Sequence, residues 1–343
     1  MSRVNVQELT DKVRRAFLGV GVSEEIADTM AEVLVDTEMK GVFTHGIIRV
    51  PNYVRCIREG GIKPTADLDI LSETPTMAHV SGHGGLGIPI AKAAMKIAIK
   101  KAKECGIGIV SVKASHHLGA VGYYANMAAE EGLIGMTMSN GNPMLAPTGS
   151  CEKRLGNNPF AYATPAGKYG TVLYDIAISA TSDMKIIDMN KKGLTLPDGW
   201  LINSCGEPTN NPADYLAGGV LIPFGGYKGY GLALMVELLT ACLGCSGMTH
   251  EVSAWNRTPK EDGGNVGHFL MAIDPKAMTG EDGFANRAEE LIDQMKASKL
   301  ANGATEILYP GEKEKIKKAE CLRTGFVEVD DDSLAALDAL IKE

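Results

Sequence analysis

The sequence lacks a long uninterrupted apolar segment, and this absence bears on where the protein resides. The N-terminal stretch MSRVNVQELTDKVRRAF has no apolar core of the kind that a signal peptide needs. The longest apolar run, GLALMVELLTACLGC at 231–245, is shorter than a bilayer span and carries Glu237. We therefore expect a cytoplasmic protein without a membrane partner, in which this run forms a buried helix.

The sequence has fewer basic than acidic residues. Its 343 residues include 34 Lys and Arg and 42 Asp and Glu, which gives a formal net charge of −8. This balance disfavours a nucleic acid or an anionic membrane surface as a partner. An anionic small molecule stays open, because a single Arg or Lys in a pocket can hold it. The apolar share of 45% predicts a globular protein with a sizeable core.

A disulfide framework is missing as well. The seven cysteines are odd in number and scattered along the chain, which predicts reduced thiols, as in a cytosolic protein. Cys242 and Cys245 form a C-x-x-C within the apolar run, away from an exposed helix N-terminus where a thiolate would be stabilised. We expect these two residues to be buried packing residues rather than a redox pair.

Apolar periodicity divides the chain into helix and strand candidates, without a repeat or a linker. Helices are predicted at 5–40 (two helices, with Ser23 as the second N-cap), 48–58, 88–104, 122–132, 179–191, 283–300 and 311–323, and a long one after PFGGYKGYG at 223–231. Strands are predicted at 107–112, 133–138, 159–164, 171–178 and 267–274, with a polar loop at 192–216. The pattern predicts an α/β fold in which strands and helices mix, rather than a regular βαβαβ series.

GHGGLG at 82–87 has the Gly-x-Gly-x-x-Gly spacing of the dinucleotide fingerprint. In a Rossmann site the helix begins near the second glycine, so that free amides face the pyrophosphate. Pro89 would then fall in the second turn at a cost of about 3 kcal/mol, so it fits better as the first helical residue. The next strand ends in Val-Lys-Ala-Ser at 112–115, without the acid that binds the ribose. We therefore expect a turn before a helix here, not the cofactor loop.

Two histidine-bearing segments carry the residue types of a hydride-transfer site. THGIIRVPNY contains His45 and Arg49, which share a side if the backbone is helical there. ASHHLGAVGYY places His116 and His117 straight after a strand, where open α/β proteins carry reactive groups. An imidazole exchanges protons near neutral pH, and a guanidinium binds a carboxylate through two hydrogen bonds. The set suits a 2-oxo or 2-hydroxy acid; the alternatives are a surface ion pair for Arg49 and a structural role for His116.

Two other kinds of site stay open from the residues alone. Several histidines precede residue 120, among them His45, His83, His116 and His117. Adjacent histidines rarely bind one ion, and no H-E-x-x-H or spaced cysteine–histidine motif occurs, so we expect no metal site. PFGGYKGYG brings glycines and Lys228 to a helix N-terminus without the P-loop order. It is either a phosphate contact or a plain loop-to-helix junction.

Several motifs, taken together and in order, resemble the malate/L-lactate dehydrogenase superfamily that lacks a Rossmann fold. They are THGIIRVPNY, GIGIVSVKASHHLGAVGYY, LGNNPFAYATPAG, YDIAISATS, LPDGW, PFGGYKGYGLALMVELL, GHFLMAID and ILYPGE. The resemblance implies an α/β fold with a non-Rossmann NAD(P)-binding domain, whose sheet is largely antiparallel or mixed, and a helical domain from both chain ends. We expect the helical domain at 1–70 with 311–343 and the NAD(P)-binding and catalytic domain at 71–310. The resemblance also implies a homodimer with the active site near the subunit interface.

The resemblance further implies roles for individual residues. His117 corresponds to a general acid/base histidine, His45 to a second active-site histidine that some members are thought to use as proton donor, and Arg49 to the substrate-carboxylate arginine. Cofactor contacts are implied for Asp175, Ile176, Ala177, Ser179, Lys228, Gly229, Gly231, Pro310, Gly311 and Glu312.

The chain departs from the family pattern at two positions. Asn is usual where this chain has His116, and Arg-Gly-Lys is common where it has Asp-Met-Lys at 183–185. The second change touches the cofactor side and leaves NADP open beside NAD. The segment SNGNPMLAPTG at 139–149 lies where substrate-selecting residues tend to fall in the family.

We therefore predict an oxidoreductase that uses NAD, with NADP open, and exchanges a hydride with C2 of a small 2-hydroxy or 2-oxo acid such as malate or lactate. An imine reductase that acts on a piperideine- or pyrroline-2-carboxylate is the alternative on the same fold. A metal-dependent hydrolase built on the histidines is the alternative from another class. A non-catalytic binding protein is disfavoured, because the charged groups of the chemistry are all present.

Overall fold

The computed structural model describes residues 1–255 and 264–342. Its helices are α1 (Val6–Leu18), α2 (Glu24–Met39), α3 (Val50–Arg58), α4 (Gly87–Cys105), α5 (Gly122–Glu130), α6 (Asp183–Lys191), α7 (Ala213–Leu216), α8 (Tyr227–Glu237), α9 (Lys276–Thr279), α10 (Gly283–Lys296), α11 (Glu312–Thr324) and α12 (Asp331–Lys342). Its strands are β1 (Ser2–Asn5), β2 (Asp69–Glu73), β3 (Met77–Ser81), β4 (Ile107–Ser115), β5 (Ile134–Ser139), β6 (Phe160–Pro165), β7 (Thr171–Ile176), β8 (Leu201–Ile202), β9 (Pro208–Thr209), β10 (Val220–Leu221), β11 (Val266–Ile273) and β12 (Phe326–Val329).

A seven-stranded mixed sheet in the order β2-β3-β4-β11-β5-β6-β7 forms the centre of the fold. The neighbours β3 and β4 run parallel, with Met77 opposite Ile109, and the other pairs of this sheet are antiparallel. The five strands expected from the apolar pattern are present as β4, β5, β6, β7 and β11. The predicted α/β class with a largely antiparallel, mixed sheet is confirmed.

Helices α4 and α5 cover one face of the large sheet. Their small buried side chains, among them Ala94, Ala98 and Ala125, share one core with Val110 of β4 and Leu270 of β11. Side chains alternate between the two faces of a strand, so every second residue enters this core. Small residues on the helices allow a close approach to the sheet, which excludes water from both surfaces.

The two ends of the chain meet in a second, largely helical core. Strand β1 pairs antiparallel with β12, and the apolar cluster around this ribbon takes side chains from α1, α2, α3 and α12. This arrangement supports the division that the resemblance implies. We propose a helical domain at 1–70 with 311–343, of which Glu343 lies outside the described residues, and a catalytic domain at 71–310.

The helix expected at 179–191 begins only at Asp183. The preceding residues are extended, because the N–H of Ile178 donates to the carbonyl oxygen of Asn157 at 2.8 Å. The hydroxyl of Ser182 then accepts the N–H of Lys185 at 3.2 Å and caps the helix. Long-range hydrogen bonds, which apolar periodicity does not reveal, therefore decide where this helix starts.

The apolar run at 231–245 forms the end of α8 and a π-helical turn at 238–242, and it is not buried on all sides as predicted. Leu234 and Leu238 are 38% and 51% exposed. Cys242 and Cys245 are exposed free thiols, so the expectation of buried packing was wrong. One side of the helix packs on the sheet, whereas the other is exposed among the residues 1–255 and 264–342. Within the described residues no helix, this one included, has the length and apolar character needed to span a bilayer.

GHGGLG forms the turn that leads into α4. The helix begins at Gly87, so the prediction that Pro89 is the first helical residue was wrong, but Pro89 still lies in the first turn, where its missing N–H is tolerated. A Cβ on residue 87 would lie 2.1 Å from the carbonyl oxygen of His116, so glycine is required there. The third glycine of the motif is thus helical rather than part of the loop. It lets the helix pack against the backbone that carries the paired histidines.

Candidate active site

A cleft of about 880 Å³ opens between the helical core and the large sheet, a volume within the usual range for small-molecule sites. Nine of the thirteen residues that the sequence singled out for catalysis or cofactor contact line it. They are His45, Arg49, His117, Asp175, Ile176, Ala177, Ser179, Pro310 and Gly311.

His45 and Arg49 reach the cleft from two successive 3-10 turns, at 43–45 and 47–49, rather than from one helix. Gly46 separates the turns with a ψ of −141°, so the helical spacing expected for the two side chains does not apply. Arg49 Nε donates to the carbonyl oxygen of Thr44 at 2.6 Å, which restrains the guanidinium. Both side chains line the cleft because of how these turns pack.

The backbone of these turns rests on the carboxyl group of Glu38, near the end of α2. Glu38 is 3% exposed, and its Oε2 accepts the N–H of Ile47 at 2.9 Å. A Cβ on Gly46 would lie 1.9 Å from the same oxygen, so glycine permits this approach. Burial raises the pKa of Glu38 to about 7. Glu38 therefore supports the segment that carries His45 and Arg49, a role that the sequence pattern did not indicate.

His117 follows β4, and aromatic rings and hydrogen bonds hold its imidazole in place. The His45 and Trp255 rings stack with it, at centroid distances of 5.7 and 4.6 Å. Tyr53 Oη lies 2.6 Å from Nδ1, and the N–H of Gly119 donates to the same nitrogen at 3.3 Å. With Nδ1 occupied in this way, Nε2 is the nitrogen left for a ligand in the cleft.

Burial favours the neutral form of both histidines in the cleft. Burial lowers the pKa of His45 to about 4, and the charge of Arg49 adds to the effect. Burial also lowers the pKa of His117 well below its ordinary value, helped by His45 and Arg49. Arg49 keeps its charge although burial lowers its pKa. An anion bound beside Arg49 would raise the pKa of the histidines, so binding and proton uptake are coupled.

His116 has the structural role that the sequence left open. It is 2% exposed, its Nδ1 accepts the N–H of His117 at 2.9 Å, and its ring meets Trp255 edge-on. Burial, with a smaller contribution from His268, lowers the pKa of His116 to about 3. In the part of the chain that the structure describes, no three His, Cys, Asp or Glu side chains are grouped as a metal ion would require.

The opposite part of the cleft combines a carboxylate with the starts of two helices. Asp175, in β7, accepts the N–H of Gly122, the first residue of α5, at 2.8 Å. Gly311 precedes α11, whose N-terminus has no side-chain cap, and Lys313 of its first turn also lines the cleft. Uncapped amides and an ammonium group suit a pyrophosphate, and a carboxylate suits ribose hydroxyls. These residues fit a dinucleotide.

Four residues predicted to contact the cofactor do not line the cleft. Three of them lie at the start of α8, namely Lys228, Gly229 and Gly231. The fourth, Glu312, directs its carboxylate to Lys296 Nζ at 2.7 Å and to the N–H of Tyr309 at 3.1 Å. Glu312 therefore stabilises the turn that contains Pro310 and Gly311. Within one chain, cofactor contact for these four residues remains a prediction.

Two aromatic residues at the site were missed from the sequence. Tyr53 closes the motif THGIIRVPNY, but its partner His117 lies 64 residues away along the chain. Trp255 lies outside every motif used, and its ring packs on Tyr53 and His117. A buried tyrosine needs a partner for its hydroxyl, so the position of Tyr53 in an amphipathic helix is the one signal that could have identified it.

The mixed sheet, the helical core and a cleft with two neutral histidines and an arginine define an α/β oxidoreductase outside the Rossmann class. Residues 4–338 match the malate/L-lactate dehydrogenase family. The chain belongs to this family and is therefore a dehydrogenase of the 2-hydroxyacid type.

Individual relatives cover nearly the whole chain. The L-sulfolactate dehydrogenase of Methanocaldococcus jannaschii is 40% identical over 92% of this chain and 89% of its own length. Its solved structure superimposes with a TM-score of 0.92 at 35% identity, covering 99% and 97% of the two chains. The malate dehydrogenase of Pyrococcus abyssi is 40% identical over 91% and 86%. The Delta(1)-pyrroline-2-carboxylate/Delta(1)-piperideine-2-carboxylate reductase of Pseudomonas syringae pv. tomato is 31% identical over 94% and 92%.

Proposed function

We propose that this protein is an NAD-dependent dehydrogenase that transfers a hydride between nicotinamide and C2 of a small 2-hydroxy or 2-oxo acid of the malate or lactate type. The observation that carries the proposal is the presence of His45, His117 and Arg49 together in one cleft that also fits a dinucleotide. The names of the sulfolactate and malate dehydrogenases support the substrate class. A cytoplasmic location is proposed with it, because reduced thiols suit that compartment.

Each of the three side chains has a distinct task in this proposal. Arg49 pairs with the substrate carboxylate through two parallel hydrogen bonds and thereby orients C2. A bound nicotinamide supplies or accepts the hydride at C2. The oxygen on C2 must gain or lose a proton in the same reaction, and the imidazoles of His45 and His117 lie beside Arg49 to assist it.

The preference for NAD over NADP rests on acidic residues in the cleft. The Asp175 carboxylate suits a ribose with free hydroxyls, and it would repel a 2′-phosphate. The arginine that the family commonly has at position 183 is absent, and Asp183 lines the cleft on the side of Arg49. We therefore expect NAD to be the working cofactor, with Asp175, Ile176, Ala177, Ser179, Pro310 and Gly311 in contact with it.

A matrix of cofactors and substrates tests this function. Purified protein is assayed with NADH or NADPH against oxaloacetate, pyruvate, sulfopyruvate and a cyclic imine carboxylate. We expect reduction of at least one 2-oxo acid, with kcat/KM about tenfold or more higher for NADH, a difference of about 1.4 kcal/mol. Turnover that survives exhaustive chelation separates this activity from a metal-dependent hydrolase. Failure to bind either nucleotide and to reduce any 2-oxo acid would reject the proposal.

The cyclic-imine reductase is the second candidate, and one observation favours it. The negative charge of Asp183 acts on Arg49, so a cation and an anion face the same part of the cleft. A protonated cyclic imine with a carboxylate carries the matching pair of charges. Faster reduction of piperideine-2-carboxylate than of every 2-oxo acid in the matrix would select this candidate.

We also propose that the protein works as a homodimer, with α8 in the interface. The sheet face opposite α4 and α5 carries half-buried Ile109, Met136 and Met271, and Leu234 and Leu238 are exposed beside it. Monomers rarely leave a contiguous apolar surface of this kind in water. The resemblance to the family implies that a second copy of the chain covers this surface. A dimer with twofold symmetry is the commonest form of homo-oligomer.

A charge placed in this face should abolish the dimer. We expect Leu238→Asp to sediment as a single chain, because burying an unpaired carboxylate in an apolar interface costs several kcal/mol. Met278→Asp is the matched control, since Met278 is 86% exposed and belongs to α9 rather than to α8 or the apolar cluster of this face. It should sediment as two chains, like the parent. A parent protein that sediments as one chain at micromolar concentration would contradict the dimer.

A further inference from the structure

The nitrogen Nδ1 of His117 has two neighbours whose hydrogens can point at it. The N–H of Gly119, at 3.3 Å, can only donate, so it requires a lone pair on Nδ1. Tyr53 Oη lies 2.6 Å from Nδ1 and 3.2 Å from the carbonyl oxygen of His117. Because two lone pairs would repel at 2.6 Å, the hydroxyl hydrogen of Tyr53 must lie between Oη and Nδ1.

A neutral imidazole carries one hydrogen, so a lone pair on Nδ1 puts that hydrogen on Nε2. We propose that Tyr53 is a positioning residue that, together with the Gly119 amide, holds His117 as the Nε2–H tautomer, so that His117 presents a fixed N–H donor rather than a base. The catalytic meaning of this arrangement rests on the proposed function. The donor faces the C2 oxygen of a 2-oxo acid, which gains negative charge as C2 is reduced.

Packing keeps the Tyr53 hydroxyl in this position. Tyr53 has no exposed surface, and its ring packs on Trp255 and Phe17, at centroid distances of 4.9 and 6.2 Å. Burial raises the pKa of Tyr53 far above its ordinary value, so the phenol keeps its hydrogen and remains a donor. The imidazole itself is held by Trp255. Neither partner can turn away without disturbing the buried core.

With His117 fixed as a donor, the transferred proton is left to His45, the proton donor that the resemblance to the family implies. Its Nδ1 lies 3.0 Å from Thr44 Oγ1, a hydroxyl that can donate or accept, so both protonation states of His45 are accommodated. During reduction the hydride that a bound reduced nicotinamide would supply leaves that cofactor oxidised and forms the C–H bond at C2, and the electron pair of the carbonyl π bond moves to oxygen. His45, which takes up a proton when the anionic substrate binds beside Arg49, then gives that oxygen its proton and returns to the neutral form, while His117 keeps its own hydrogen. Thr44 is exposed, so solvent can restore the proton of His45.

The tautomer is measured directly by ¹⁵N correlation spectroscopy of histidine-labelled protein without substrate, with His117 assigned by its absence in His117→Gln. We expect the parent to show His117 with hydrogen on Nε2. In Tyr53→Phe, which keeps the ring and its packing, we expect a mixture of the two tautomers. Hydrogen on Nδ1 of the parent, or an unchanged spectrum in Tyr53→Phe, would overturn the proposal.

Kinetics provide the second readout, with a matched tyrosine as control. Tyr53→Phe should lower kcat about tenfold and leave KM for the 2-oxo acid within about twofold, as the loss of one hydrogen bond predicts. Tyr124 is also fully buried, and its hydroxyl donates to the carbonyl oxygen of Leu118 at 2.6 Å without touching His117. Tyr124→Phe should therefore change neither the His117 tautomer nor kcat by more than about twofold.

The two readouts separate this proposal from the function on which it rests. The tautomer is measured without substrate or cofactor, so it can be confirmed even if no 2-oxo acid is reduced. Suppose that 2-oxo acids are reduced but that kcat falls equally in Tyr53→Phe and Tyr124→Phe. The proposed dehydrogenase function is then supported, and the positioning role of Tyr53 is rejected.

Discussion

Replacing Arg49 with alanine should raise KM for the 2-oxo acid by about 10²–10³-fold. Charge-assisted hydrogen bonds contribute about 1.5–3 kcal/mol each, and a guanidinium makes two of them to a carboxylate. Arg49 loses little further conformational entropy when it forms these two hydrogen bonds, because its Nε already donates to the carbonyl oxygen of Thr44, which restrains the side chain. KM for NADH should change by less than about threefold, since Arg49 lies among the histidines rather than beside Asp175.

Steady-state kinetics with two further variants make this test specific. Arg49→Lys keeps the charge but not the planar pair of donors, so it should raise KM by only about tenfold. Arg287→Ala is the control for lost positive charge, because Arg287 is an exposed residue of α10. It should leave KM unchanged. A KM within about threefold of the parent in Arg49→Ala would remove Arg49 from the substrate site.

Glutamine should retain more of the parent kcat at position 117 than at position 45. His45→Ala and His45→Gln should both lower kcat by about 10²–10⁴-fold, because neither side chain can supply a proton. His117→Ala should lower kcat by about 10²–10³-fold, as the loss of a donor to a developing oxyanion does. His117→Gln should lose only about tenfold, because the amide NH₂ can donate in place of the Nε2–H.

The measurement is the ratio of kcat between the glutamine and alanine variants at each position, with thermal midpoints to check folding. A ratio near one at position 45 and near ten or more at position 117 supports the separate tasks of the two histidines. The reverse pattern would make His117 the proton donor and His45 the fixed partner. His116→Gln, outside the cleft, should report only the stability cost of a changed structural residue.

Much of the fold could be predicted because its signals are local. The strands β4, β5, β6, β7 and β11 were found from apolar alternation, which reflects burial of one side of each strand. The rejection of GHGGLG as a cofactor loop depended on Pro89, whose ring restricts the backbone wherever it occurs. Family motifs spread along the chain identified the dehydrogenase class and nine residues that line the cleft.

Other features depended on contacts that no local pattern contains. The exposure of one side of α8 was mispredicted. The sequence of an apolar helix is the same whether that side packs against its own chain or against another surface. Glu312 lies in a cofactor-like motif, yet it pairs with Lys296, which comes from a different helix. His45 and Arg49 were expected on one helical side, and they line the same cleft through 3-10 turns supported by the buried carboxyl group of Glu38.

The sequence by itself determined the family, the α/β class and three candidate side chains for the chemistry, because those depend on residue identity and short spacings. Only the tertiary structure carries the division of tasks that we propose among them. The hydrogen on His117 is placed by a hydroxyl 64 residues away and by a neighbouring amide, both fixed by the packing around Tyr53. The position of a hydrogen on an imidazole depends on which donors and acceptors lie beside each ring nitrogen. Folding brings those groups together from distant parts of the chain.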